Sequence, residues 1–197
     1  MLLAEIFRFK KFLFPITVLG LLVSIALVYI DRNTILDPMF HNMVKFDRFA
    51  MLFMLVLIGT VFLWFVSSRK YLEGDAHTTD YYALSLFALI GAVTMVSYWN
   101  LSMLFLGVEI LSLPVYVLAG SKKEDPGSNE SALKYFLMGA FASVILLFGI
   151  ALVYGSTGSL NLDAIATAVT SGTTAMPKLF FAGVLMILIG LSFKVSA

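Results

Sequence analysis

The chain has 197 residues, 60% of them hydrophobic and 13% charged, with a mean hydropathy of +0.97. Soluble domains run at about 45–50% apolar and about 25% charged, so a water-soluble globule is excluded and lipid is the solvent. The net charge of +1 says nothing about nucleic acid, and there is no basic stripe to follow. The absence of cysteine excludes disulfides, thiolate zinc sites and cysteine-held iron–sulfur clusters.

Residues 1–11 (MLLAEIFRFKK) form a short apolar stub followed by the basic cluster Arg8, Lys10 and Lys11. A signal peptide has its charges before the apolar run, so the stub reads as the tail of an earlier helix. Phe12–Ile30 is the first predicted span, and Asp31–Arg48 is a polar connection containing Pro38. Phe49–Val66 is the second span. Its run MLVLIGTVFLWFV does not alternate apolar and polar residues, which excludes a transmembrane β-barrel. Tyr81–Ser97 is the third span, and Leu101–Gly120 the fourth. A single helix of about 40 residues would measure roughly 60 Å, twice the hydrocarbon thickness. Tyr98–Trp99–Asn100 is therefore predicted to be a tight interfacial turn, its aromatics suited to the headgroup belt.

Ser121–Glu130 (SKKEDPGSNE) reads as a loop, and Ser131–Tyr154 as the fifth span. Gly155–Pro177 is a Gly/Ser/Thr-rich connection in which Asp163–Val169 is expected to form a short interfacial helix. Leu179–Ala197 begins a sixth span, and the chain reads as a single transmembrane unit cut at both ends. The fold class is all-α, a polytopic transmembrane helix bundle. Basic residues favour the side carrying Arg8, Lys10, Lys11, Arg69, Lys70, Lys122 and Lys123 over that carrying Arg32, Lys45, Arg48 and Lys178. The first side is expected to be cytoplasmic.

Three ionisable residues fall within or at the edge of apolar spans: Glu109, Lys134 and Lys194. A charge at the centre of a membrane helix costs about 2.5 kcal/mol or more, and such residues are functional by default. Ser102, Glu109, Ser112 and Tyr116 lie within about 80° of one another on a helical wheel. Pro114 cannot donate to the carbonyl of Ile110, so that carbonyl is free to hold water beside the acid. Gly183, Gly190 and Lys194 share one face within about 60°, and small residues let a neighbouring helix approach. Lys194 is therefore expected to face protein. Each group also has a plainer reading. Glu109 could be a packing acid, Lys194 could snorkel, and Lys134, four residues into its predicted span, could mark that span's wet end. Burial disfavours the charged forms of an acid and an amine, while a nearby opposite charge restores them. A glutamate–lysine pair in a dry bundle thus suits either a proton relay or static adhesion. Neither histidine, His41 nor His77, falls in a span, so no haem ligand is expected there, and there is no nucleotide-binding loop motif.

The stretches LFLGVEILSLPVYVLAG, SALKYFLMGAFASVILLFGIALVYGSTGSLNL and LIGLSFKVSA resemble the antiporter-like membrane subunits of proton-pumping NADH–quinone oxidoreductase, respiratory complex I. The E-I-L-S-L-P and A-L-K-Y-F-L wording is nearest to the subunit N group of that family. The resemblance covers Phe49 to Ala197, and the first span fits the family's second helix. It implies a fold of about fourteen helices in two inverted repeats with broken helices, of which this chain carries an incomplete first repeat. It further implies a multi-pass subunit of a bacterial inner (plasma) membrane, one proton channel in a membrane arm, driven by quinone chemistry elsewhere. Glu109, Lys194 and Lys134 match the family's proton-relay positions; no catalytic, cofactor-binding or metal residue is expected in this chain. NADH, flavin, iron–sulfur clusters and quinone would sit on other parts of the complex. The partners implied are other complex I membrane subunits and the lipid bilayer, with no nucleic acid. Family members continue after F-K-x-S with a small residue, proline and P-F-H, which this sequence does not reach, so the resemblance implies that the fragment could not pump alone. A cation/proton antiporter subunit of the Mrp type, or a subunit that only braces a membrane complex, are the alternatives.

Overall fold

The computed structural model describes residues 10–31, 39–72, 77–174 and 176–195, the side chains of residues 10–12 excepted. Residues 1–9 of the N-terminal stub with Arg8 of its basic cluster, Arg32 and Pro38 of the first connection, and the last two residues of the sixth span lie outside the described residues.

Among the described residues seven α-helices follow one another: α1 Lys10–Asp31, α2 Arg48–Leu72, α3 Thr78–Val96, α4 Leu101–Ala119, α5 Pro126–Thr157, α6 Leu162–Thr170 and α7 Pro177–Lys194. All but α6 are long and apolar enough to cross a bilayer. The chain is a multi-pass membrane protein of the all-helical class. Large side chains such as Ile16, Phe141 and Phe181 stand exposed on its outside; lipid tolerates that arrangement and water does not.

Local signals set the helix ends. Asp47 accepts the Ala50 N–H (2.8 Å), Asn100 the Ser102 N–H (2.8 Å), and Asn161 those of Asp163 and Ala164 (3.0 and 3.3 Å). Each side chain satisfies N–H groups that the first helical turn leaves free. The fifth helix starts before its predicted span. Asp125 caps it and Pro126 opens it, because proline's missing N–H is harmless there. Residues 126–130, expected as loop, are helix. α2 likewise runs to Leu72, since Ser67–Lys70 leave the apolar window without leaving the helix. α5 ends at Gly158, in the left-handed region at φ 72°. The expected short helix is α6, one residue longer than Asp163–Val169 at either end.

Apolar side chains gather in two clusters. Leu13, Leu21, Ile58, Phe65, Leu72 and Tyr82 join α1, α2 and α3. Leu101, Leu104, Val108, Leu146, Ile150, Val153 and Ile165 join α4, α5 and α6, with Val184 and Ile187 of α7 packed against them. Glycines bring the helices into close approach. A Cβ on Gly91 of α3 would lie 2.3 Å from the Leu111 backbone nitrogen of α4. A Cβ on Gly149 of α5 would lie 2.8 Å from the Gly183 carbonyl oxygen of α7, and one on Gly183 would lie 2.8 Å from that of Gly149. Gly190 meets Leu146 in the same way. The expectation that the Gly183/Gly190 face of the last helix packs against protein is met.

At one end the connections are tied together. Lys45 donates its N–H to the Ser97 carbonyl (2.8 Å), and Leu101 donates to that of Leu160 (2.9 Å). Trp99 donates its indole N–H to Asp163 (2.6 Å), and the Lys45 ammonium stacks 3.8 Å from the indole centroid. Trp99, expected as a belt aromatic, also fastens the α3–α4 turn to α6.

Candidate functional site

The site lies where α4, α5 and α7 meet. On α4, Glu109, Ser112 and Tyr116 stand at positions i, i+3 and i+7, one helical face. Pro114 lies buried between the last two, and the helix runs on through it. Ser112 and Tyr116 are buried, at 8% and 5% exposure. Ser102 is exposed, at the far end of α4, and takes no part in the group.

Lys194 arrives from the end of α7. Its ammonium donates to Tyr116 OH at 2.8 Å and to Ser112 Oγ at 3.0 Å, and lies 4.0 Å from Glu109 Oε1. An ammonium has three N–H donors, and three acceptors surround this one. The first two contacts are hydrogen bonds; the third is an ion pair beyond hydrogen-bond length. The Glu109 and Lys194 side chains keep 27% and 16% of their surface. The expectation that Lys194 faces protein is met: it reaches α4, across the α5–α7 seam.

Register explains the contact. At about 1.5 Å per residue, Lys194 lies about 25 Å along α7 from Pro177, Tyr116 about 22 Å along α4 from Leu101, and Glu109 about 12 Å. The lysine backbone is thus nearly level with Tyr116. Its stem leans toward the helix N-terminus, as helical side chains do, and covers much of the remaining distance to Glu109. The two hydroxyls stand along that path.

α5 supplies a residue that sequence reasoning missed. Ser143, 8% exposed, donates its hydroxyl to Glu109 Oε1 and lies 3.0 Å from the Gly139 carbonyl one turn earlier. The signal was present as the small-residue run Gly139, Ala142, Ser143 on one face of an apolar helix, all three buried. Gly139 has a second role. A Cβ there would lie 2.0 Å from the Tyr116 phenol oxygen, so only a glycine leaves room for the phenol against α5. Tyr135 and Phe136 meet the Tyr116 ring edge-on at 4.8 and 5.9 Å and hold it in place.

Lys134 stands apart from this group. Its amine pairs with Glu130, one turn earlier on α5, and both side chains are more than 60% exposed. The structure therefore brings together Glu109 and Lys194 of the three expected residues, and adds Ser112, Tyr116 and Ser143 around them.

Comparison with known proteins agrees with this architecture. The family described as NADH:quinone oxidoreductase/Mrp antiporter, TM, matches residues 99–197, which hold α4 to α7 and the whole site. The chain is 44% identical to NADH-quinone oxidoreductase subunit N of Flavobacterium psychrophilum, over 99% of its own length and 42% of the relative's. It is 42% identical to subunit N of Flavobacterium johnsoniae, over 100% of its length and 42% of the relative's. It thus spans less than half the length of these relatives. A chain of respiratory complex I from Thermus thermophilus with bound aureothin superposes with a TM-score of 0.71 at 29% identity, covering 90% of this chain and 37% of that one. A chain of the archaeal membrane-bound sulfane sulfur reductase shares the fold, with a TM-score of 0.80 at 24% identity over 93% of this chain and 39% of that one. Matched by the family over half its length, and with the same helical architecture, the chain belongs to the NADH:quinone oxidoreductase/Mrp antiporter transmembrane family.

Proposed function

We propose that Glu109 and Lys194 form a proton relay in the membrane arm of a bacterial NADH–quinone oxidoreductase, in which this chain serves as the antiporter-like subunit N. Electron transfer from NADH to quinone, carried by flavin and iron–sulfur groups on other subunits, would drive it. The chain itself does no redox chemistry in this reading. Its partners are the other membrane-arm subunits and the bilayer. The names of its relatives support subunit N over an Mrp-type antiporter.

The observation that carries the proposal is the 4.0 Å separation of the Lys194 ammonium and the Glu109 carboxylate, joined by two helices and flanked by hydroxyls. Two unit charges at about 4 Å attract by about 4 kcal/mol at an effective dielectric of 20, before either is desolvated. A change of charge on one is felt at once by the other. Lys194 keeps Ser112 and Tyr116 when Glu109 is neutral, so the acid can take up or release a proton while the amine stays in place. A rigid direct salt bridge would oppose that step more strongly. Lys134, four residues from Glu130, is proposed as an outer member of the path.

The test uses inside-out membrane vesicles carrying the full-length subunit in its complex. Glu109→Gln or Lys194→Ala should abolish the proton movement that this subunit carries during NADH oxidation, while the subunit still co-purifies with flavin and iron–sulfur subunits. Undiminished translocation in both variants would sink the relay. Co-purification with Mrp-like membrane partners alone would overturn the assignment to complex I.

A further inference from the structure

We propose that Ser143 is a two-way hydroxyl that serves Glu109 in both of its protonation states. This deepens the relay reading and rests on it.

The argument is one of hydrogen counting. Serine carries a single O–H hydrogen and two acceptor lone pairs. Ser143 Oγ is within reach of two acceptors, Glu109 Oε1 on α4 and the Gly139 carbonyl on its own helix. It cannot donate fully to both. While Glu109 is a carboxylate, the better acceptor is the charged oxygen, and the serine hydrogen points to α4. Once Glu109 holds a proton, the acid becomes a donor and needs an acceptor. Ser143 Oγ is already at hydrogen-bond distance. The serine hydrogen then rotates about the Cβ–Oγ bond to the Gly139 carbonyl, and its lone pair receives the acid O–H. No proton is gained or lost by the serine, and no heavy atom has to move.

Two features on α5 make this possible at low cost. Hydroxyl back-bonding to the carbonyl four residues earlier is an ordinary helical option, so the second state is already built into the helix. The site is also tightly enclosed. Ser143 is 8% exposed and the Glu109 side chain keeps 27% of its surface, so an unpaired acid O–H would be left partly buried, which is costly. Lys194 offers no acceptor to the acid O–H, because an ammonium has donors only. Its own bonds go to Ser112 and Tyr116. Among the protein groups described at the site, the hydrogen-bond acceptor in contact with Glu109 is therefore Ser143. Ser143 is a positioning residue: it acts through Glu109 and carries no net proton.

The experiment measures NADH-driven proton translocation in vesicles containing the full-length subunit within its complex, for Glu109→Gln, Ser143→Ala and Ser143→Thr. Infrared difference spectra are recorded on the same samples. Assembly is checked by co-purification, and Ser143→Ala only removes an oxygen from a packed site. Ser143→Ala should cut the share of translocation that Glu109→Gln removes by about tenfold, the effect of losing one hydrogen bond to an ionised group. Ser143→Thr, which keeps the hydroxyl, should restore that share. The carboxylic C=O band that Glu109→Gln removes should shift upward in Ser143→Ala and return in Ser143→Thr. If Glu109→Gln is inactive but Ser143→Ala matches the parent in rate and band, the inference fails and the relay stands. Equal loss in Ser143→Ala and Ser143→Thr would also overturn it, since packing rather than the hydroxyl would then matter. If Glu109→Gln itself translocates normally, the relay reading falls and takes this inference with it.

Discussion

Tyr116 of α4 sits with its phenol oxygen 2.8 Å from the Lys194 ammonium, in a space that exists because residue 139 of α5 is glycine. The contact joins three helices at one point: α4 provides the phenol, α7 the ammonium, α5 the vacancy. Gly139→Ala should therefore act like a lesion in Tyr116. Its Cβ would lie 2.0 Å from the phenol oxygen, so the ring must move, and overpacking of this kind costs about 1–3 kcal/mol. The expected outcome is a lowered thermal midpoint in detergent together with impaired proton translocation. Tyr116→Phe should impair translocation while keeping stability within about 1.5 kcal/mol of the parent. Parental translocation in both variants would show that the Tyr116 phenol has no part in proton movement.

The Glu109–Lys194 pair makes a prediction about stability as well as function. Removing one partner leaves the other charge partly buried and uncompensated, whereas removing both leaves neither. Glu109→Gln and Lys194→Met should each destabilise, and the double variant should be less destabilised than the sum of the two. Thermal unfolding of the three variants closes the double-mutant cycle. An additive double variant would mean that the 4.0 Å separation carries no coupling energy.

Glycines of the α5–α7 seam differ sharply from glycines on the outer faces. A Cβ on Gly149 or Gly183 would lie 2.8 Å from a carbonyl oxygen of the opposite helix, and backbone cannot swing aside as a side chain can. Gly149→Ala should lower stability by about 1–3 kcal/mol and carry Lys194 off its partners on α4. At Gly20 and Gly59 nothing lies within 4 Å, so alanine there should be neutral, or stabilising by up to about 1 kcal/mol through helix propensity. Thermal midpoints of the three variants check the contrast.

Lys134 separates the sequence argument from the geometric one. Its ion pair with Glu130 is exposed and local, a type worth about 0.2–0.5 kcal/mol. Lys134→Ala should leave the thermal midpoint unchanged and still reduce translocation. Unchanged translocation would reduce Lys134 to the wet end of α5 and leave Glu109 and Lys194 as the relay.

The composition and the spacing of apolar runs were enough to establish an all-helical membrane protein with six spans among the described residues, because hydrocarbon leaves the backbone few ways to satisfy its hydrogen bonds and each span must be long. The same rule marked Glu109 and Lys194 as candidate functional residues, since an intramembrane charge is costly. Helix ends were less legible. Pro126 read as loop and became the first residue of α5, because proline marks both a chain break and a helix start. What sequence could not decide was distance. Counted along straight helices, Glu109 and Lys194 lie at different depths, and only the packing of α4 beside the α5–α7 seam brings them to 4.0 Å. Ser143 stayed hidden for a related reason. A serine in an apolar helix can satisfy itself on its own backbone, so its sequence carries no demand for a partner. Which acid stands opposite it is a property of the neighbouring helix, and that is settled by glycines that let helices close in.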